Sequence, residues 1–311
     1  MKSKINGEEK KITIVTCEQF ASALSLETIF EGLGEITICT DSVSRPGLPF
    51  AGFFEHFAEE RVQVIGNAEN NFLSCLPEQR KIEVLDRFFS KGIPCLVVAR
   101  DLEVDDYIIE FAKKYDVPLF RSKKITTYLI SQLNEYLFKS LAPTTILHGV
   151  MLDILGVGVL ITGSAGIGKS ETALELISKG HRIVADDSVE IRSLGSSLIA
   201  HSPQKIQYFM EVRGIGIINV KSMFGPAAVL PEKKIDLVIE LVSWEKDTSY
   251  DRLGDEKQYT SILNNEVQKL IIPVSPGRNI PVIIETAARK ARLEEFGYNA
   301  VDELVNIAFK K

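Results

Sequence analysis

Gly163, Ser164, Ala165, Gly166, Ile167, Gly168, Lys169 and Ser170 spell G-x-x-x-x-G-K-[ST], the spacing of a loop that cradles phosphate. A chance match in a chain of this length has a probability of roughly 1%. The flanks lower it further, because the apolar run Gly158–Thr162 reads as a strand and Ala173, Leu174 and Ile177 give the segment Lys169–Ser178 a buried helical stripe. Glycine takes positive φ with no Cβ in the way, so successive N–H groups converge on an anion at the positive end of the helix. In such a loop Lys169 reaches the β- and γ-phosphates and the Ser170 hydroxyl ligates Mg²⁺. A glycine-rich turn with a solvated lysine is the bland alternative, and it leaves the strand and helix on either side unexplained.

A second group of polar residues follows the helix. His181-Arg-Ile-Val-Ala-Asp186-Asp187 reads as a short strand, His181–Ala185, that delivers two carboxylates to its C-terminal end. Open α/β sheets bind ligands at that edge. One Asp there can hold Mg²⁺ or its water, and the other can accept the proton of an attacking hydroxyl. An Asp-rich turn satisfying local amides is the structural alternative.

The elements that must position these groups fall into two blocks. Up to Leu141, β-rich runs alternate with amphipathic stretches: strand Arg61–Gly66, helix Glu78–Lys91, strand Cys95–Ala99, helix Asp105–Tyr115, strand Val117–Phe120 and helix Thr126–Lys139. This is a layered α/β domain, 1–141, with no chemical motif of its own. The helix before Ala142-Pro143 must end there, since a residue preceding proline leaves helical geometry. The second domain, 142–311, holds strands Leu147–Ile154 and Gly158–Thr162, the loop and its helix, hairpin segments to about Ala200, strand Ile235–Val242, and closing helices Ile280–Phe296 and Asn299–Phe309.

Composition narrows the function classes. The chain has 311 residues, 36 Lys+Arg against 42 Asp+Glu and a net charge of −6, so it lacks the cationic surplus that nucleic-acid binding needs. Cys17, Cys39, Cys75 and Cys95 have no metal-site spacing and read as reduced thiols. No apolar run approaches the roughly 20 residues of a membrane span, and the polar N-terminus is no secretory leader, so a cytoplasmic protein is expected.

Beyond the loop, His148-Gly-Val-Met-Leu-Asp, Gly-Lys-Ser-Glu-Thr-Ala-Leu-Glu-Leu, His181-Arg-Ile-Val-Ala-Asp-Asp and Glu211-Val-Arg-Gly-Ile-Gly-Ile-Ile-Asn219 together resemble the bacterial HPr kinase/phosphorylase family. The resemblance is sharp from about residue 145 to 290 and looser before. It implies an N-terminal α/β domain like that of a peptidoglycan ligase and a C-terminal P-loop kinase domain of the phosphoenolpyruvate-carboxykinase-like type. The implied enzyme uses Mg²⁺ and ATP, or pyrophosphate, to phosphorylate a serine of the phosphocarrier protein HPr. With inorganic phosphate it removes that group as pyrophosphate, and so regulates carbon catabolite repression.

Carried onto this chain, the resemblance makes Lys169, His148, Asp187 and Arg252 catalytic, with Asp187 the proton acceptor in the forward direction and the donor in reverse. Ser170 and Glu211 become metal ligands. Glu211, Arg213, Gly214, Gly216 and Asn219 form the signature loop, in which Arg213 either stabilises phosphate charge or pairs with a carboxylate. Pro273, Ser275, Gly277 and Arg278 fall in the segment used for phosphorolysis, where Pro276-Gly277 suits a type II turn. Ser275 stands where the family usually has Arg or Lys, which predicts weakened phosphorolysis with kinase activity intact. Ser164 and Ala165 replace a common Asp and Ser, at slots that contribute mainly backbone. A homohexamer and a fructose-1,6-bisphosphate effector are implied as well.

On the residues alone His148 reads as a structural strand-edge histidine and Arg252 as a surface arginine. Two other functions fit the loop and the Asp pair: a P-loop kinase of a small-molecule hydroxyl, and a nucleotide-switched regulatory module. The stripe Ala300, Leu304 and Ile307 serves docking, subunit packing or, most commonly, the domain's own core.

Overall fold

Runs such as Leu96-Val-Val98, with no polar face to turn to water, become wholly buried strands, and the amphipathic segments between them pack across the sheet. The computed structural model describes residues 3–5, 8–10, 14–34, 36–244, 257–300, 303 and 307. Arg252 and Leu304 lie outside the described residues. The chain divides into two compact units, one of residues 12–142 and one of residues 143–311 together with the first eleven. In the latter, β1 (Ser3–Ile5) and β2 (Glu8–Lys10) pair as an antiparallel hairpin.

The 12–142 unit contains, in order, β3 (Val15–Thr16), α1 (Cys17–Leu24), β4 (Glu27–Phe30), β5 (Thr37–Ile38), β6 (Val43–Ser44), α2 (Gly47–Phe50), β7 (Val62–Ile65), α3 (Asn67–Cys75), α4 (Glu78–Phe89), β8 (Leu96–Val98), α5 (Asp106–Lys114), β9 (Leu119–Arg121) and α6 (Thr126–Ser140). Its main sheet has the order β4-β9-β8-β7-β6, parallel from β6 to β9 and antiparallel at β4. Side chains alternate across it. Val64, Val97 and Phe120 pack with Phe20, Leu129, Leu133 and Leu137, whereas Ile65, Leu96, Val98 and Leu119 pack with Leu73, Leu85, Phe88 and Ile108.

From residue 143 the elements are β10 (Thr144–Ile154), β11 (Val157–Gly163), α7 (Lys169–Ser178), β12 (Arg182–Leu194), β13 (Ser197–His201), β14 (Phe209–Val212), β15 (Gly216–Asn219), α8 (Val220–Phe224), β16 (Glu232–Lys234), β17 (Leu237–Ser243), β18 (Gln258–Ile262), β19 (Asn265–Val274) and α9 (Ile280–Glu295). Eight strands form one sheet in the order β16-β13-β12-β10-β11-β17-β19-β18. β11, β17 and β19 are parallel neighbours, and Gly163, Leu241 and Ile272 stand level across them. One face of the sheet, with Val150, Leu152, Val159 and Ile161, packs against Ala173, Leu176 and Ile177 of α7 and Ile284 and Ala288 of α9. Met151 and Leu160 belong to a second apolar cluster with Val184, Val189, Ile191 and Leu198.

The expected short strand His181–Ala185 is corrected here. β12 does not end at the aspartates but continues to Leu194, paired antiparallel with β10. Asp186 and Asp187 therefore lie within a strand rather than at its end. They stand level with Val150 and Gly149 of β10, and Val150 in turn faces Ile161 of β11, so the carboxylates still reach the end of the sheet from which the loop emerges. A bulge in the pairing between Met151 and Leu152 and a left-handed φ of 60° at Asp187 bend the strand there.

Candidate active site

β11 ends at Gly163, where a Cβ would fall 2.5 Å from the Leu241 carbonyl, so the strand can leave the sheet only as glycine. Gly166 has φ +81°, and a Cβ there would sit 3.0 Å from Nη1 of Arg213, whose guanidinium lies over the loop. Gly168 precedes α7 and offers no side-chain cap, which leaves the first-turn amides of that helix facing the loop for an anion. The Lys169 Nζ donates to the carbonyls of Gly163 and Ser164, each at 3.0 Å.

Asp186 ties three elements together. Its Oδ1 accepts from the Ser170 Oγ at 2.9 Å and its Oδ2 from the Glu211 backbone N–H at 3.3 Å. The residue is 6% exposed. Burial pushes its carboxyl up to about 6, aided by the neighbouring Asp187 charge and opposed by the hydrogen bonds from Ser170 and the two backbone amides. Asp187, by contrast, is open to solvent: its side chain is 80% exposed, with Oδ1 3.7 Å from Nδ1 of His148. His148 sits on β10 directly across from Ser188 and beside Gly149, the partner of Asp187.

An open cleft of about 480 Å³ collects these groups. His148, Lys169, Ser170, Asp186, Asp187, Glu211 and Arg213 line it, together with Gly163, Ala165, Gly166 and Gly168. Such an arrangement offers backbone amides and two cationic side chains to phosphate, carboxylate and hydroxyl oxygens to a hard cation, and an accessible carboxylate to a proton.

Other expected site residues stand elsewhere. Ser164 contributes a carbonyl to Lys169, while Ile167 packs against the core beneath the loop. The signature Glu211–Asn219 is a hairpin of β14 and β15, with Gly214 and Gly216 at φ +84° and +99° around its turn. Asn219 plays a structural part, since its side chain accepts from the Ser222 N–H at 2.9 Å and caps α8. Pro273, Ser275, Gly277 and Arg278 are not among the residues lining the cleft, although Pro273 lies at the same end of the sheet as Gly163. Gly277 has φ +83° and the Arg278 N–H closes a turn on the Ser275 carbonyl, but the Arg278 guanidinium folds back onto the Pro273 carbonyl at 2.8 Å.

Comparison with known proteins decides what kind of chain carries this cleft. The model of the HPr serine kinase C-terminal domain matches residues 139–307, and that of the HPr serine kinase N terminus matches residues 15–137. The chain belongs to the HPr serine kinase family. The HPr kinase/phosphorylase of Caldanaerobacter subterraneus subsp. tengcongensis is 49% identical over 292 residues, covering 93% of this chain and 96% of the relative. That of Thermoanaerobacter sp. is 48% identical with the same coverage. The HPr(Ser) kinase/phosphatase from Coxiella burnetii is 39% identical, with a TM-score of 0.47, over 51% of this chain and 97% of that structure.

As an HPr serine kinase family member the chain is an enzyme of the kinase/phosphorylase type with two α/β domains. The cleft also contains residues of this family member that spacing alone did not single out. Val150 and Glu171 line it. Glu171 had a signal, since it directly follows Lys169-Ser170; Val150 had none beyond its place near His148. The bond from Ser170 to Asp186 links residues 16 apart and has no mark in the sequence. No described helix is long and apolar enough to cross a membrane.

Proposed function

We propose that the enzyme transfers the γ-phosphoryl group of ATP, or a phosphoryl group of pyrophosphate, to a serine of the protein HPr, and that with inorganic phosphate it removes the group as pyrophosphate. The single observation that carries this is an accessible carboxylate, Asp187, in contact range of His148 and opening into the same cleft as the phosphate loop. In the forward direction Asp187 takes the seryl proton as the oxygen attacks phosphorus. In reverse an oxygen of inorganic phosphate attacks the phosphoserine phosphorus, and Asp187 returns the proton to the departing seryl oxygen. His148 orients the Asp187 carboxylate. Lys169 and the loop amides hold the phosphates, and Arg213 over Gly166 adds cationic charge to the same oxygens. Arg252 is assigned to the transferring group by the resemblance.

The residues present fit Mg²⁺. Ser170 has its proton committed to Asp186, which turns a lone pair of Oγ outward, and Glu211 adds a carboxylate on the cleft. Among the described residues there is no cage of three or more His, Cys, Asp or Glu. Ser170 and Glu211 would hold the Mg²⁺, and the ion would neutralise phosphate charge. In the cell the same activity would control carbon catabolite repression, with a homohexameric assembly and fructose-1,6-bisphosphate as effector in line with the resemblance.

The test is Asp187→Asn with Mg-ATP and HPr. Retained ATP binding with phosphotransfer reduced by about a thousandfold or more in both directions is expected. Wild-type enzyme that phosphorylates a small metabolite and not HPr would support the small-molecule alternative. Wild-type enzyme that binds nucleotide and transfers nothing would support the regulatory one.

A further inference from the structure

Two of the four cysteines meet inside the 12–142 unit. Cys17 opens α1 and Cys95 immediately precedes β8, yet both belong to the apolar cluster that packs one face of the main sheet. Their thiols share a hydrogen bond. As a thiol, Cys17 also donates from Sγ to the carbonyl of Pro94, the residue before Cys95, at 3.5 Å. Cys39 and Cys75 are exposed.

The surroundings of the two sulfurs differ. Cys95 is fully buried. Cys17 lines a cavity of about 420 Å³ with Thr16, Ser22, Leu26, Thr28 and Gly32, so a molecule the size of water or peroxide that enters there reaches Cys17 first. Charge divides them in the same sense. The hydrogen bond from Cys95 holds the Cys17 thiol below its ordinary value against the opposing effect of burial, and burial pushes the Cys95 thiol well above. Cys17 is also the first residue of α1, where the backbone N–H groups favour a thiolate. Core packing accounts for the buried volume of both side chains. It does not account for the sulfur on the cavity side being the one whose charge is favoured.

We propose that Cys17 and Cys95 are a peroxide-responsive pair, in which Cys17 is the sulfur oxidised first and Cys95 the one that resolves it to a disulfide. The proposal is independent of the phosphotransfer reading above. The Cys17 thiolate attacks one oxygen of hydrogen peroxide. The O–O bond breaks, Cys17 becomes a sulfenic acid, and the departing hydroxide takes up the proton that the thiol had released and leaves as water. The Cys95 sulfur then attacks the sulfenic sulfur, the S–O bond breaks, and the hydroxyl departs as water with the Cys95 proton. In sum two thiols and one peroxide become one disulfide and two waters. With the thiols already in contact, the second step is local to the two side chains.

The experiment treats the folded, full-length wild-type chain with hydrogen peroxide, alkylates the remaining thiols under denaturing conditions and maps the digest by mass spectrometry. Expected is a peptide pair joined through Cys17 and Cys95, lighter by two hydrogens than its separate peptides. It should form severalfold faster than oxidation at Cys39 or Cys75 and be reversed by dithiothreitol. In Cys95→Ser, dimedone should capture Cys17 as a sulfenic acid with no link formed, and in Cys17→Ser the Cys95 thiol should stay reduced. Cys17 and Cys95 still open to alkylation after Cys39 and Cys75 have oxidised would overturn the proposal. So would sulfinic acid accumulating at Cys17 of the wild type with no link, which shows that Cys95 does not resolve it. Cys95 oxidising as fast in Cys17→Ser as in the wild type overturns the order of the two steps. Should either variant fail to fold, the wild-type map decides the pairing on its own.

Discussion

The Ser170 hydroxyl donates to the Asp186 carboxylate at 2.9 Å, and through that contact the phosphate loop is braced against the neighbouring strand. The second oxygen of the same carboxylate accepts from the Glu211 N–H, so loop, strand and signature hairpin share one buried acid. Burial disfavours its charge, as the rise of its carboxyl to about 6 reflects. Asp186→Ala would lose two hydrogen bonds, worth about 1 kcal/mol each, but would also relieve that buried charge. The melting temperature should therefore move by only a few degrees, while kcat falls by about a hundredfold or more as Ser170 and Glu211 lose their brace. Thermal unfolding and steady-state kinetics on the same preparation check the two halves, and a large loss of stability with kcat preserved would contradict the assignment.

Gly166→Ala introduces a Cβ at φ +81° and within 3.0 Å of the Arg213 guanidinium. Left-handed backbone costs a non-glycine residue about 1–2 kcal/mol, and the loop is where that cost lands. ATP affinity should drop by about tenfold or more, as measured by calorimetric titration, with the melting temperature of the protein little changed.

Ser275→Arg adds a cation at the end of the sheet that carries the phosphate loop. Phosphorolysis of phosphoserine-HPr should rise severalfold, on the order of one charge-assisted hydrogen bond, while the forward rate stays within about twofold. Pyrophosphate release from phosphoserine-HPr reports the reverse direction; equal turnover by wild type and variant would mean that Ser275 costs the enzyme nothing.

Glu69 sits where α3 begins, accepting from the Gly66 N–H at 3.0 Å and from Arg45 at 2.8 Å. Burial alone would raise its carboxyl, but the Arg45 guanidinium and the Gly66 amide outweigh that and hold it below the ordinary value. A depressed carboxylate contributes stability above its unfolded pKa and loses it as pH falls through the folded one. Glu69→Gln should therefore cost about 1–3 kcal/mol at pH 7 and progressively less below about pH 4. Urea unfolding of both proteins at the two pH values measures the difference, and a gap that widened in acid would have the wrong sign.

Local patterns in the sequence carried the phosphate loop and its helix. Lys169–Ser178 is helical over the expected span, because glycine, lysine and a buried stripe are all local signals. Asp186 and Asp187 misled for a physical reason: adjacent aspartates look like a turn, and what keeps them in a strand is nonlocal. Ser170 and Glu211 satisfy the first, and a left-handed φ accommodates the second. Arg278 shows the same limit. The turn at Gly277 follows from Pro-Gly, but the return of the guanidinium onto the Pro273 carbonyl depends on side-chain torsions that no spacing encodes. Asn219 read as part of a chemical signature and serves as a helix cap, a role only the path of the following chain reveals.

The two carbonyls that hold the Lys169 ammonium belong to the very loop it serves. An ammonium has three N–H donors, so an arriving phosphate finds this lysine already pinned across the loop with a donor to spare, and binding costs little further side-chain ordering.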